Sequence, residues 1–165
     1  MNIHDTFRET GAGADYCAIV GLGNPDRADD GAGIMLASRL RNRLKSPVFL
    51  ETEKSVEGIV LDLAENATIK TILFIDAADF GGAPGAFKIF SDRETGRFVP
   101  ALSTHKVPFP MMMEWIQQAG KRGYVLAIQP ESLKWMGEMS DVVRKTVNQL
   151  SELSGADNAG SIGNE

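Results

Sequence analysis

Residues 20–33 read VGLGNPDRADDGAG, and this stretch decides the fold. An apolar run at residues 16–21, with the length of one buried strand, leads into it. From Asp30 to Leu44 the apolar residues then recur at helical spacing. A buried strand, a glycine turn and a helix in this order are typical of a parallel α/β sheet. The stretch therefore predicts an α/β protein with the glycine turn at the carboxyl edge of its sheet.

Strand-sized apolar runs and helical patterns alternate along the rest of the chain. The predicted strands are residues 47–52, 71–77, 86–90 and 124–128, and the predicted helices are residues 56–66, 108–121 and 139–153. Buried strands that alternate with helices favour a three-layer α/β/α sandwich with one mostly parallel, twisted sheet. We expect a single domain at residues 15–154, a loose N-terminal lead-in at residues 1–14 and a disordered tail at residues 155–165.

Composition limits the classes of function. The chain has 165 residues, a formal net charge of −5 and one cysteine, Cys17, so an internal disulfide is impossible. Its apolar runs are too short to cross a bilayer and no signal-peptide pattern opens the chain, which favours a cytoplasmic protein without membrane association. The acidic balance argues against a nucleic-acid partner, and the basic group at residues 39–45 is interpreted as a helix C-terminus. The chain's acidic surface and modest size favour a monomer.

The acidic pair Asp29 and Asp30 is the first candidate for chemistry. Gly21 and Gly23 could open a phosphate-binding turn, but two carboxylates at the following helix N-terminus would repel phosphate. Helix capping is the alternative structural interpretation, because aspartate is favourable at the N-cap and in the first turn. One residue is enough for a cap, so the doubled aspartate leaves a second carboxylate to face a cleft.

Two further side chains are candidates. Asp76 follows a buried apolar strand at the carboxyl edge of the sheet, although either Asp76 or Asp79 could instead brace the next turn. His105 precedes a predicted helix and could be a cap or surface residue. Two carboxylates and one imidazole nevertheless make the open three-ligand set that catalytic metal sites use. We therefore expect Asp30, Asp76 and His105 to form a metal site.

Four short motifs, in order over residues 17–153, resemble those of the hydrogenase maturation proteases. The first is GLGN at residues 21–24 with DDGAG at residues 29–33, and the second is IDA at residues 75–77 with Asp79, Gly81 and PG at residues 84–85. The third is TH at residues 104–105 with Pro108, and the fourth is IQPE at residues 128–131. The last motif is most similar to the branch that serves formate-hydrogenlyase (hydrogenase 3) type enzymes. The chain departs from many family members at residues 51–56, where ETEKSV replaces a glycine-rich segment.

The resemblance implies an aspartic-type endopeptidase that trims the C-terminus of a NiFe hydrogenase large-subunit precursor. It assigns the metal-contacting and catalytic positions to Asp30, Asp76 and His105, and it implies that these residues recognise nickel already inserted in the precursor. Metal-assisted hydrolysis is the mechanism we expect, and a metal that serves only as a recognition handle is the alternative. The departure at residues 51–56 bears on how the substrate tail is held.

Two alternatives stay open. The peptidyl-tRNA hydrolases share the opening VGLGNP at residues 20–25, but they place a catalytic histidine soon afterwards and use a basic surface to hold tRNA. This chain has ADDG at residues 28–31 instead, and it is acidic. The second alternative is a non-catalytic protein that binds the hydrogenase precursor without cutting it.

Overall fold

A computed structural model gives the fold and describes residues 3–94, 99–100 and 107–153. The strands in this part of the chain are β1 (Cys17–Gly21), β2 (Val48–Leu50), β3 (Thr71–Asp79), β4 (Phe87–Ser91), β5 (Val99–Pro100) and β6 (Arg122–Ile128). They form one sheet in the order β2-β1-β3-β6-β4, and β5 pairs with the end of β3. The pairs β1–β2, β1–β3 and β3–β6 are parallel, whereas β4 and β5 are antiparallel to their neighbours. The predicted mostly parallel sheet is confirmed.

Helices cover both faces of the sheet. They are α1 (Ile3–Thr10), α2 (Ala32–Arg41), α3 (Val56–Glu65), α4 (Phe109–Gln118) and α5 (Asp141–Leu153), with a 3-10 turn at Ala28–Gly31 before α2. Successive strand residues point to opposite faces. Phe74 accordingly packs into the core beneath α3 and α4, and Ile75 into the core beneath α1, α2 and α5. The three-layer sandwich is confirmed, and no helix in the described part is long and apolar enough to span a bilayer.

The carboxyl ends of three strands meet at one edge of the sheet. Gly21, the last residue of β1, pairs with Leu50 at the end of β2 and with Ile75 in β3. Residues that follow Gly21, Leu50 and Ile75 in the chain are therefore neighbours in space. This register brings the glycine turn, Glu51 and Asp76 to the same edge.

Gly33 lets the first turn of α2 approach this edge closely. A Cβ atom on Gly33 would lie 2.2 Å from the carbonyl oxygen of Ile75 and 2.4 Å from that of Leu22. Both distances are far inside van der Waals contact with main-chain atoms, so only glycine fits without moving the helix. The close approach fixes where the acidic pair before α2 lies relative to β1 and β3.

The N-terminal segment differs from its prediction. Residues 3–10 form α1 rather than a loose lead-in, and Phe7 is buried in the core beneath α2 and α5. The Thr71 hydroxyl donates to the carbonyl oxygen of Thr10 at 2.9 Å, which fixes the end of the helix to the start of β3. The prediction was wrong because the segment is short and polar on average, so its helical period rests on very few apolar residues. The tail at residues 155–165 lies outside the described residues.

The basic group at residues 39–45 is used within the fold. Arg39 and Arg41 lie in the last turn of α2, as predicted. The Arg41 guanidinium donates twice to the Glu53 carboxylate, at 2.8 Å each, and once to the carbonyl oxygen of Val48. Arg43 donates to the carbonyl oxygen of Ser151 in α5. These contacts join α2 to its neighbours.

Candidate active site

A tight turn after β1 organises the site. Gly23 has a φ of +121°, and a Cβ atom there would lie 1.9 Å from the carbonyl oxygen of Asp30. A residue with a side chain fits neither the dihedral angle nor the space. The Asn24 side chain then accepts from the backbone N–H of Asp26 at 2.9 Å, which turns the chain toward the 3-10 turn that carries the acidic pair.

Successive N–H groups of this turn hold two carboxylates. The Gly23 N–H donates to Oε2 of Glu51 at 2.8 Å, and the Asn24 N–H donates to Oδ2 of Asp30 at 3.0 Å. Glu51 follows the end of β2, and its own N–H donates to the carbonyl oxygen of Gly21 at 3.0 Å. Residues 28 positions apart in the sequence, Gly23 and Glu51, are thereby fixed side by side.

Asp76 completes a group of three acidic side chains, Asp30, Glu51 and Asp76, which we call the carboxylate cluster. Asp76 is buried within β3, one residue beyond the Ile75 that pairs with the end of β1. Burial, followed by the nearby charges of Asp30 and Glu51, raises the pKa of the Asp76 carboxyl well above its ordinary value, although the backbone N–H of Ala77 acts in the opposite direction. Like charges in a desolvated site need a proton or a cation.

Asp29 has a different task from its neighbour Asp30. It is fully buried, and its carboxylate accepts backbone N–H groups from Glu131 at 2.8 Å, Ser132 at 2.9 Å and Ser140 at 2.7 Å, and also the Ser140 hydroxyl at 2.9 Å. No side chain caps α2, whose N-cap is Gly31. The capping interpretation of the acidic pair is therefore wrong: Asp29 holds a distant loop, and Asp30 belongs to the carboxylate cluster.

Asp79 braces the turn after β3. Of the two aspartates that were considered for this structural role, Asp76 and Asp79, it is Asp79 that has it. Its Oδ1 accepts the N–H of Gly81 at 2.9 Å and the side-chain amide of Gln129 at 3.1 Å. These two contacts lower the pKa of the Asp79 carboxyl. Gln129 also accepts from the N–H groups of Phe80 and Gly82, so the second and fourth motifs meet in one structural turn.

Of the three predicted metal ligands, the described structure covers only the two acidic ones. Asp30 and Asp76 are brought together, whereas His105 lies outside the described residues. Within residues 3–94, 99–100 and 107–153 no group of three histidine, cysteine, aspartate or glutamate side chains is arranged to hold a metal ion.

Glu51 is the member of the cluster that sequence reasoning missed. Its segment was interpreted as a departure from a glycine-rich pattern, with no role for the acid itself. The available signal was positional, because an acidic residue directly after a predicted strand lies at the same sheet edge as Asp76.

Comparison with known proteins gives the same assignment as the motifs. A family model described as hydrogenase maturation protease matches residues 56–154, which is more than half of the chain. The HoxM hydrogenase expression/formation protein of Azotobacter vinelandii is 30% identical over 125 residues, covering 72% of this chain and 60% of that protein. HoxM of Cupriavidus necator is 28% identical over 145 residues, covering 84% of this chain and 71% of its own. This chain thus spans about 60% of the length of the first relative.

Solved structures share the fold. The NiFe hydrogenase maturation protease HycI from Thermococcus kodakarensis superposes with a TM-score of 0.72 at 29% identity, covering 91% of this chain and 96% of that one. The endopeptidase HycI from Escherichia coli gives a TM-score of 0.70 at 21% identity, covering 86% of this chain and 90% of that one. At this identity the similarity is one of fold alone. Motifs, sheet order and family match agree, and the chain belongs to the hydrogenase maturation protease family.

Proposed function

We propose that this protein is an endopeptidase that removes a C-terminal peptide from the nickel-loaded precursor of a NiFe hydrogenase large subunit. The observation that carries the proposal is the burial of Asp76 beside Asp30 and Glu51 at the carboxyl edge of the sheet, in a chain of this family. Sheet edges of this kind are where α/β proteins bind their ligands. The client we propose is of the formate-hydrogenlyase type, because the turn at residues 128–131 resembles that branch.

The donor chemistry of the cluster fits a divalent metal. Asp30 and Asp76 supply carboxylate oxygens, and His105 supplies an imidazole in this proposal, a set that suits a first-row metal such as nickel. Carboxylates that repel one another in a buried site gain most from a nearby cation, which offsets their mutual repulsion. The metal here is part of the substrate, so the protease supplies an acidic surface that recognises it.

Each residue has a defined part in the proposed hydrolysis. A metal held at this position would polarise the scissile carbonyl or a water molecule. Asp76 accepts the proton of the attacking water on its carboxylate. The Asp30 carboxylate accepts the Asn24 N–H, so it is held in place before the precursor binds.

A cleavage assay with the nickel-loaded and nickel-free precursor tests the proposal. Wild-type protein should release the C-terminal peptide only from the loaded form, and Asp76→Asn should lose this activity. Asp79→Asn is the matched control, because Asp79 lies on the same strand but outside the cluster, and its activity should stay near wild type.

The outcomes separate the alternatives. Nickel-independent cleavage, or full activity in Asp76→Asn, would contradict the proposed use of the metal or of Asp76. Tight binding of the precursor by wild-type protein without cleavage would instead support the non-catalytic binding role.

A further inference from the structure

The Arg27 side chain carries a buried hydrogen-bond donor without an acceptor in the described part of the protein. The residue is half-buried, and its Nε atom is the one buried side-chain nitrogen or oxygen there that has no hydrogen-bond partner. Other arginines are paired. Arg39 donates to the Asn148 side chain at 2.5 Å, and Arg122 donates to the Asp92 carboxylate at 2.9 Å. Leaving a buried donor unpaired costs free energy, and a binding partner that supplies the acceptor removes that cost.

Arg27 lies in the turn that carries Asp30. The Arg27 carbonyl oxygen accepts the Asp30 N–H at 3.1 Å, and the Arg27 N–H donates to the carbonyl oxygen of Asn24, also at 3.1 Å. A main-chain hydrogen bond between residues three apart is typical of a turn, in which their Cα atoms lie within about 7 Å of each other. Because consecutive Cα atoms are about 3.8 Å apart, about two residues of an extended peptide span the distance from Asp30 to Arg27. Arg27 is therefore beside the carboxylate cluster.

The main-chain donors that lead into this turn are already used within the protein. The N–H groups of residues 22–24, 26 and 27 all donate to oxygen atoms of the chain, and residue 25 is a proline. Ionised carboxylates accept hydrogen bonds and do not donate them. A peptide chain brings both N–H donors and carbonyl acceptors to a site. The carboxylate cluster can accept from the N–H groups of a bound peptide, but the carbonyl oxygens need a donor, and the Arg27 guanidinium supplies one from the same turn.

We propose that Arg27 binds a main-chain carbonyl oxygen of the hydrogenase precursor, in the segment that lies against the carboxylate cluster. This inference rests on the proposed function and adds to it a residue that holds the precursor. A neutral carbonyl is favoured over a carboxylate as the acceptor, because the acids of the cluster repel a further negative charge. The contact is made equally in the bound substrate and in the transition state, so its loss raises KM and Kd while kcat changes little.

Two variants of Arg27 and one matched control test the contact. Arg27→Met keeps an unbranched side chain but removes every donor, whereas Arg27→Lys keeps the positive charge and removes Nε. Arg39→Met is the control, because Arg39 is also half-buried but is paired and lies in the last turn of α2, at the far end of that helix from the cluster.

Three quantities are measured. KM and kcat are determined on the nickel-loaded precursor, Kd is determined for the same precursor with each change combined with Asp76→Asn, and urea unfolding gives a midpoint for each single variant. Both Arg27 variants should raise KM and Kd about tenfold, with kcat within about twofold of wild type. Arg27→Met should unfold at or above the wild-type midpoint, because it removes a buried donor that the folded protein leaves unpaired. Arg39→Met should bind and cleave as wild type does and should unfold at slightly lower urea.

Three results would overturn the inference. Wild-type KM and Kd in Arg27→Met would show that the precursor does not use this donor, and an unfolding midpoint well below wild type would show that Arg27 is structural instead. Wild-type affinity in Arg27→Lys would show that the positive charge, and not a hydrogen bond from Nε, holds the precursor. Absence of cleavage by wild-type protein would count against the proposed function alone, since the Kd values and unfolding midpoints would still decide the role of Arg27.

Discussion

Asp29 and Asp30 are neighbours in the chain, yet they serve two different regions of the molecule. The Asp29 carboxylate accepts four hydrogen bonds from the loop at residues 131–140, so both of its oxygens have hydrogen-bond donors. The charge of Asp30 instead contributes to the raised pKa of the Asp76 carboxyl. One buried acid is held by a distant loop, and the other belongs to a group of like charges. Identical side chains can therefore be structural or functional according to what surrounds them.

The difference predicts opposite consequences for the two regions. A satisfied buried charge stabilises its surroundings, and losing it leaves several N–H groups without an acceptor. A carboxylate that is crowded by like charges instead destabilises the folded state, because its charged form is disfavoured there. Stability should therefore depend on the region around Asp29, and chemistry on the region around Asp30.

The largest stability effect is expected at Asp29. Asp29→Asn replaces one accepting oxygen with an NH₂ group that faces N–H donors of the loop, and we expect a loss of about 3 kcal/mol in the free energy of unfolding. Urea unfolding followed by circular dichroism measures it. Asp30→Asn is the matched control and should unfold near the wild-type midpoint, because an amide oxygen can still accept the Asn24 N–H. Equal losses in the free energy of unfolding of Asp29→Asn and Asp30→Asn would contradict the distinction between the two acids.

A comparable but smaller loss is expected where α2 meets the sheet. Gly33→Ala places a methyl group against the carbonyl oxygens of Ile75 and Leu22, and we expect a cost of about 2 kcal/mol through displacement of the helix. The same unfolding measurement applies. Because α2 carries the acidic pair with it, cleavage should also fall. An unfolding midpoint of Gly33→Ala equal to that of wild type would show that the close approach of α2 to the sheet is not needed for stability.

The stability of the cluster should depend on pH with a characteristic sign. Because the folded pKa of Asp76 is raised, the proton is bound more tightly in the folded state, so this contribution is fully present below the unfolded pKa and lost as pH rises through the folded pKa. Relative to wild type, Asp76→Asn should therefore become more stable as pH rises from about 4 to 7. Unfolding midpoints at both pH values measure the trend.

Asp79 provides the opposite control. Its pKa is lowered by the Gly81 N–H and the Gln129 amide, so its contribution is present above the unfolded pKa and lost as pH falls. Asp79→Asn should accordingly keep a constant stability relative to wild type between about pH 4 and 7, and should gain on wild type only as the pH falls below about 4. A rise in the relative stability of Asp79→Asn over about pH 4 to 7, parallel to that of Asp76→Asn, would contradict the assigned environments.

The smallest effect is expected from Glu51→Gln. The glutamine keeps an oxygen for the Gly23 N–H but removes one of the charges that raise the pKa of Asp76. That pKa should fall, so the acidic limb of the pH–rate profile should move to lower pH, with cleavage at neutral pH reduced by less than about tenfold. An unmoved limb would show that Glu51 does not influence the cluster.

Most of the fold was predictable because periodicity is a local property. The strands around Ile75 and Leu126 and the helices around Leu63 and Val147 follow patterns within a few residues of each other. Helix α1 was not predicted because Phe7 is the one side chain of α1, among those described, that packs in the apolar core. Its burial against α2 and α5 is a tertiary effect.

The candidate site was predictable only in part. Asp30 and Asp76 could be found because each lies at the boundary of a segment that the sequence marks. Glu51 follows a predicted strand, but the residues that it meets depend on the register between β2 and β1, which leaves no local trace. The separate tasks of Asp29 and Asp30 likewise depend on a loop about a hundred residues further along the chain.

The most direct test of the central claim compares Asp29→Asn and Asp30→Asn in nickel-dependent cleavage, with rates expressed per folded molecule. Asp30→Asn should lose about a thousandfold in rate while remaining folded, the size typical of losing a group that acts on the reacting atoms. Asp29→Asn should keep its rate within about tenfold of wild type, with the lower stability stated above. An active Asp30→Asn, or an equally inactive but folded Asp29→Asn, would contradict the division between the two acids.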